Sequence, residues 1–574
     1  MSRLNLDVLR EICGFLTAVR DVLSVSRTCS TLPTVAVERR LSMRPIIIDR
    51  AQSLRYLYNF VFVDKERRGP HIRAIAIPES ISHKGLSEDL ADLFLAVLAS
   101  ATSLRTLTLY VPGEPSSLFT VYPSVLLAIA GFTSLQELEI TASIDVVSLL
   151  LGSTHSALKT FRYQPTYEEV GPDSDSDDVP SPQLLSMNIA PHLAPMLEEI
   201  QVASDFIIIA SRSHVSFPAV RSVILADPAD EEVFHWQMDV LLTLFPNLDR
   251  TLIIDIMDIS RFTDGDVFNV TVGHNDRLVA LRGKNHGAQK TRAWKALDRV
   301  TAWSIDVLYA LGLACPIRHL TLKLDFKHPD EDLDFDAQGA SNVHAILQEC
   351  TPTHLVLFHG GVYWRGSPSP YWNSLFAENV VARLTHLVLY ADYWHYASIL
   401  ARQDQNPPAD EVETERPWTA TLDSLLSGLK SLRRLTHVRI LMSAQILYTL
   451  NPRFESVSIY DGLREFKFDR VLAVLPNVIP SLSYIFITSR GNVHDIQTIV
   501  FKQKRPWDIS RAWRVRRLCV NSAGGKHHLE ELSAAEAEAV IHAEELYATE
   551  SKVWGRDYKP DVESEPKEDE EAHA

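Results

Sequence analysis

Few groups of residues in this 574-residue chain have the types and spacing to do chemistry. Gly283, Lys284, Asn285, His286 and Gly287 put glycines around a lysine, but without the GxxxxGK[ST] spacing that lines up backbone N–H groups along a phosphate. The sequence contains no GxGxxG turn, no HExxH pair and no GxSxG elbow. His527 and His528 are adjacent, so on a helix they point apart and cannot easily share a metal. The 73 acidic residues supply carboxylate pairs by number alone, and none stands in an apolar setting that would tune a general acid. The expectation is a non-enzymatic chain with no catalytic residues, no cofactor and no metal.

Binding chemistry is better represented. Val356 and Phe358, Val388 and Tyr390, Arg439, and Phe486 follow one another at equivalent places in successive apolar segments. The loops after the first two of these carry Tyr363 and Trp364, then Tyr393, Trp394 and Tyr396. Tyr, Trp and Arg dominate protein–protein hot spots, so Phe358, Tyr363, Trp364, Tyr390, Tyr393, Trp394, Arg439 and Phe486 form a candidate target-binding set. The alternative is that these rings pack beneath their own loops, as large aromatics usually do. The basic run Arg277, Arg282, Lys284, Lys290, Arg292, Lys295 and Arg299 reads as a solvated helix face or as a docking place for acidic groups.

The elements that would position these residues repeat. The pattern is apolar, two residues, apolar, one residue, apolar, on segments rich in strand formers. One series runs Met43, Ile46, Ile48; Ile72, Ile75, Ile77; Leu104, Leu107, Leu109; Leu135, Leu138, Ile140; Leu158, Phe161, Tyr163; Leu197, Ile200, Val202; and Val220, Val223, Leu225. A second runs Ile317, Leu320, Leu322; Pro352, Leu355, Leu357; Leu384, Leu387, Leu389; Leu435, Val438, Ile440; Leu482, Ile485, Ile487; and Val515, Leu518, Val520. The last two apolar residues of each copy share a strand face, which sets an inward side. Helix-like stretches such as Leu93–Ala99 and Val125–Ala130 precede many copies. Strand, covering helix and parallel strand stack into a leucine-rich-repeat-like α/β solenoid, a horseshoe spanning 43–522. Spacing is uneven and long for such repeats, so an ordinary α/β protein of several strand–helix units is the alternative.

Two acidic, Pro-rich insertions near 164–183 and 403–417 read as flexible loops, with phosphorylation of the serines around Asp173–Ser181 as a second reading of the first. Residues 523–560 read as a C-terminal helical extension and 561–574 as a disordered acidic tail.

Residues 1–42 have a helical rhythm. Leu9, Ile12, Cys13 and Leu16 fall on one face, with Val8 and Phe15 at a second edge. Asp7 precedes the first helix, Asp21 can cap a second bearing Val22, Val25 and Cys29, and Pro33 suits the start of a third. Three such short helices cannot be stable alone, so the repeats or a partner must cover their excess apolar edges. Leu4 to Ile12, Phe15, Leu16, and Asp21 through Cys29 resemble the F-box, with Asn5 where that family usually has proline. Followed by a strand at Ile46–Ile48 and ragged repeats, the arrangement is similar to the large fungal-type F-box and leucine-rich-repeat families.

The resemblance implies that Leu4, Leu6, Val8, Leu9, Ile12, Phe15, Leu16 and Leu23 bind a Skp-type adaptor and, through it, a cullin–RING ubiquitin ligase, while the repeats select an unknown target protein. The competing expectation is a scaffold without a ligase role, its N-terminal helices capping the first repeat.

The net charge of −17 disfavours general nucleic-acid binding, which is driven by Lys and Arg displacing counterions. Five scattered cysteines, Cys13, Cys29, Cys315, Cys350 and Cys519, form no CxxC pair and suit a reducing compartment. Asp7 and Glu11 interrupt the first apolar stretch, so neither a signal peptide nor a membrane span is expected there. An intracellular protein of the cytoplasm or nucleus is the expectation.

Overall fold

The computed structural model describes residues 6–28, 32–78, 88–110, 122–166, 189–203, 206–207, 210–211, 215–226, 237–255, 271–325, 334–360, 375–376, 381–395, 425–448, 468–495, 502–517 and 527–547. Leu4, Tyr363, Trp364, nearly all of both insertions and the acidic tail lie outside them. The chain divides into two compact units, Met1–Pro316 and Ile317–Ala574.

The N-terminal unit begins with helices α1 (Leu6–Gly14), α2 (Val19–Ser26) and α3 (Leu32–Met43). Among the described residues nine strands follow: β1 (Ile46–Ile47), β2 (Ala74–Ile77), β3 (Thr106–Tyr110), β4 (Glu137–Ala142), β5 (Thr160–Pro165), β6 (Glu199–Ala203), β7 (Ser222–Ala226), β8 (Thr251–Asp255) and β9 (Leu297–Ala302). Each pairs in parallel with the next in chain order. Parallel neighbours need long crossovers. Many of these carry helices: α4 (Ala51–Phe62) and α5 (Lys65–Arg68), then α6 (Glu88–Ser100), α7 (Pro123–Ala130), α8 (Ile144–Ser153), α9 (Met238–Leu244) and α10 (Thr271–Thr291). Helix α11 (Ile305–Leu311) follows β9.

The three-point apolar pattern is the core. Ile72, Ile75 and Ile77, Leu104, Leu107 and Leu109, and Leu158, Phe161 and Tyr163 are all buried, as are the matching residues of later copies through Leu482, Ile485 and Ile487. The first copy is weaker, since only Ile48 is buried and Ile47 is exposed. One carbonyl before most of these strands receives two N–H groups from the next repeat. Arg73 O takes Arg105 N and Thr106 N, and Arg105 O takes Gln136 N and Glu137 N. These forks hold successive repeats in phase although their lengths differ.

Strands β8 and β9 fill the gap between the two series. Leu297, Val300 and Ala302 fit the pattern with a small third residue, while before β8 the first spacing is one longer, Leu248 to Leu252.

In the C-terminal unit, β10 (Ile317–Asp325), β11 (His354–Gly360), β12 (His386–His395), β13 (His437–Tyr448) and β14 (Tyr484–Asp495) are parallel in chain order. Helix α12 (Asp334–Cys350) lies between β10 and β11, and α13 (Phe468–Val478) between β13 and β14. The expected last parallel copy at Val515 is instead part of β15 (Lys502–Arg517), which runs antiparallel to β14. Residues 496–501 are too few for a parallel crossover. Antiparallel β16 (His527–Glu531) follows, so the expected helical extension from 523 starts with a strand and becomes helical only in α14 (Ala534–Ala543). His527 and His528 therefore alternate across a strand.

Two further differences are local. Helix α2 starts at Val19 with Ala18 at its N-cap, so Asp21 sits in the first turn instead of capping it. The basic run from Arg277 lies mostly in α10, where Lys284 and Lys290 are exposed as on a solvated face, but Arg282 of the run, with Asn285 and Gln289 beside it, is buried. Asn285 Nδ2 donates to Ala310 O at 2.9 Å and Gln289 Nε2 to Gly312 O at 2.6 Å, satisfying carbonyls that the end of α11 leaves open. Gly283–Gly287 is thus helix interior, and its neighbours serve packing.

Candidate functional site

The described residues present two faces suited to binding. The first is on the N-terminal helices. Leu9 and Cys13 turn inward and pack with Val25, Leu32 and Val35. One residue out of phase, Val8 and Ile12 of α1 and Phe15 just past its end stand at i, i+4 and i+7, a stripe about a third of a turn round from the inward pair. All three are exposed, Phe15 at 79%, and Leu23 of α2 is exposed as well. The expected single face of Leu9, Ile12, Cys13 and Leu16 is therefore split, with Ile12 outward and Cys13 inward. Leu16 is half-buried and Leu6 lies in the first turn of α1.

This module is fastened from behind. Buried Glu38 of α3 receives Arg10 Nε at 3.1 Å and lies 3.5 Å from Arg67 Nε. Arg39 Nη2 donates to Leu16 O at 3.0 Å, tying α3 to the end of the first helical turnaround. The helices are held by the inward apolar cluster and by these polar contacts, and the exposed stripe takes part in neither.

The second face belongs to β11–β15. Parallel register aligns Val356, Val388, Arg439 and Phe486, and, two residues on, Phe358, Tyr390 and Leu441. Strand alternation puts all of them on one side of the sheet. The side chains of Phe358, Tyr390, Arg439 and Phe486 are thus brought together as expected, with the Phe358 and Tyr390 ring centroids 5.3 Å apart. Tyr393 and Trp394, expected in the loop after the strand, lie instead on β12, which runs on to His395; their side chains are outside the described residues.

The chain itself covers this face. Ile541 and Leu546 form one buried cluster with Val356, Val388, Tyr390, Leu441, Phe486 and Ala512. Helix α14 starts at a capping box between Ser533 and Glu536. It ends with Leu546 N bonded to Ile541 O at 2.9 Å, and with Glu545 in the left-handed region at φ 53°, a place where glycine is usual. Three residues, Glu544 to Leu546, grip three strands. Glu544 Oε2 is 3.1 Å from His386 Nε2, Glu545 Oε2 is 2.7 Å from Arg318 Nη1, and Leu546 O accepts from Arg439 Nη1 at 2.6 Å. Residues 534–546 form a strap over the aromatic face.

Beneath the strap is a histidine ladder that the sequence reading missed. His354, His386 and His437 are aligned by register, with rings stacked at 4.0 and 4.4 Å. His319 precedes them at 5.7 Å and Tyr484 follows at 5.0 Å. Its sequence signal was present, because Thr353–His354, Thr385–His386 and Thr436–His437 recur at the start of three consecutive repeats.

The threonines set the imidazole tautomer. Thr385 Oγ1 donates to Thr353 O at 3.1 Å and Thr436 Oγ1 to Thr385 O at 3.0 Å. With its proton spent, each hydroxyl accepts from the Nδ1–H of the following histidine, at 2.8 Å for His386 and 2.9 Å for His437. The lone pairs therefore lie on Nε2. Burial, then the neighbouring His386, pushes His354 down to about 3 and His437 down to about 4. Burial also lowers His386, against the opposing pull of Glu544. Burial likewise lowers Arg439.

Among the described residues, no helix is long and apolar enough to cross a membrane. No protein-family model matches the chain. No curated protein matches its sequence.

Proposed function

We propose that the chain is the substrate-recognition subunit of a Skp–cullin–F-box type ubiquitin ligase. Its N-terminal helices bind the adaptor, and its strand–helix repeats, read as leucine-rich-repeat-like, select a target protein. The observation that carries this reading is the stripe of Val8, Ile12 and Phe15 with Leu23, exposed on helices whose other side is already packed. Exposed apolar rows of this kind are found where a partner docks. The F-box resemblance of residues 4–29 gives that partner its identity.

Target contact at Phe358, Tyr390, Arg439 and Phe486 requires the strap to be displaced, so a target competes with Ile541 and Leu546 for the same apolar surface. A receptor closed by its own C-terminal segment engages only partners that gain more from that surface than the strap does.

The test is affinity capture of the full-length chain with a Skp-type adaptor, comparing wild type with a Val8→Glu, Phe15→Glu double variant. Loss of the adaptor with unchanged circular dichroism supports the reading. Equal recovery by the variant, or no recovery by wild type, rejects it in favour of a scaffold whose N-terminal helices only cap the repeats.

A further inference from the structure

We propose that Nε2 of His386, Nε2 of His437 and the carboxylate of Glu544 form a binding site for a divalent transition-metal ion of the zinc class. One ligand atom from each lies within 4.8 Å of the others.

Three observations support this. The Thr385 and Thr436 hydroxyls fix both rings with Nδ1–H occupied and Nε2 unprotonated, as outer-shell partners do for metal-bound histidines. His437 is 8% exposed, and its Nε2 is buried without a hydrogen-bond partner. His386 Nε2 and Glu544 Oε2 stand 3.1 Å apart, and for a neutral ring both atoms are acceptors. That contact requires something positive between them. A proton on His386 would satisfy Glu544 and leave His437 Nε2 orphaned, whereas a single metal ion satisfies all three atoms.

The donor set selects the metal. Two imidazole nitrogens and one carboxylate oxygen suit zinc and its first-row neighbours and do not suit magnesium or calcium, which take oxygen. The His386 and His437 rings are nearly parallel, at 8°, so their lone pairs run side by side. Binding therefore tilts the rings until both nitrogens reach roughly 2.0–2.1 Å from one ion. Three protein ligands leave a fourth position for water.

His386 and His437 belong to β12 and β13, and Glu544 belongs to the strap. A bound ion joins them and holds the strap closed. Its consequence for target capture rests on the reading of the aromatic face given above, but the binding itself does not.

The experiment titrates zinc chloride into chelator-treated full-length protein by calorimetry, with magnesium as control, and follows deuterium exchange of residues 534–546. One saturable equivalent of zinc is expected, with slowed exchange in the strap. Binding should be lost in His386→Phe, which keeps a stacked ring, and in Glu544→Gln. Thr436→Val should weaken it about 10–100-fold. Should His386→Phe fail to fold, Glu544→Gln, at a half-exposed side chain, carries the test. No saturable equivalent in wild type, or wild-type affinity in Glu544→Gln, overturns the proposal. Because exchange is read without any target, failure of the target-binding reading leaves this result intact.

Discussion

The guanidinium of Arg439 donates to the backbone carbonyl of Leu546 across 107 residues of sequence, at 2.6 Å. Arg439 is a residue expected to face a target protein, and in the folded chain it is engaged by the chain's own C-terminal segment. Its partner is a main-chain oxygen, so the contact specifies the path of the strap and not the identity of its side chain. The apolar grip comes from Leu546, which is fully buried among residues of five strands.

Replacing Leu546 with alanine should therefore cost about 2–5 kcal/mol. The midpoint of urea unfolding should fall, and binding of an apolar dye should rise as Val388, Tyr390 and Phe486 become accessible. Unchanged dye binding in the variant would show that the strap is held by its polar contacts alone.

Phe15→Glu alone should leave stability within roughly 0.5 kcal/mol, because the ring is 79% exposed. Leu32→Ala, in the inner cluster with Cys13 and Val35, should cost about 2–5 kcal/mol. The two variants separate the exposed stripe from the packing of the module, and thermal melts report the contrast.

Gly312 ends α11 at φ 55°, and a Cβ there would meet His286 Cδ2 at 2.7 Å. Gly312→Ala should destabilise the N-terminal unit by at least about 1 kcal/mol. Gln289→Ala, which strips partners from Gly312 O and Ala314 N, should cost about 1–3 kcal/mol. Both are read by chemical denaturation.

Burial pushes the Cys315 thiol up to about 11. The thiolate is the nucleophile, so at pH 8 the folded chain should leave Cys315 unalkylated by iodoacetamide, and urea should make it react. Raising the pH toward 11 on folded protein should restore only slow labelling, since the sulfur is also buried. Peptide mass analysis gives the extent at each pH.

The repeats were legible because their signal is periodic and local. Leu104, Leu107 and Leu109 announce an inward face whatever lies around them. In the basic run, Lys284, Lys290, Arg292 and Lys295 are exposed as a solvated face requires, but Arg282, and Asn285 and Gln289 interleaved with the run, look like surface residues until the carbonyls at the end of α11 are placed beside them. Position also misled at the second site. Phe358, Tyr390, Arg439 and Phe486 were correctly grouped by strand phase, but nothing local in Ala534–Leu546 says which surface that segment covers. The histidine ladder needed both levels, since a Thr–His pair means little alone and acquires meaning when register stacks three of them.

Order of synthesis gives the strap a further consequence. Tyr390 leaves the ribosome 156 residues before Leu546, a delay of roughly 8–30 s at about 5–20 residues per second. During that interval the strands carrying Val356, Val388 and Tyr390 can pair with one another while their shared apolar side has no cover. The nascent chain thus passes through a stage at which this surface is open to chaperones, before residues 534–546 arrive to close it.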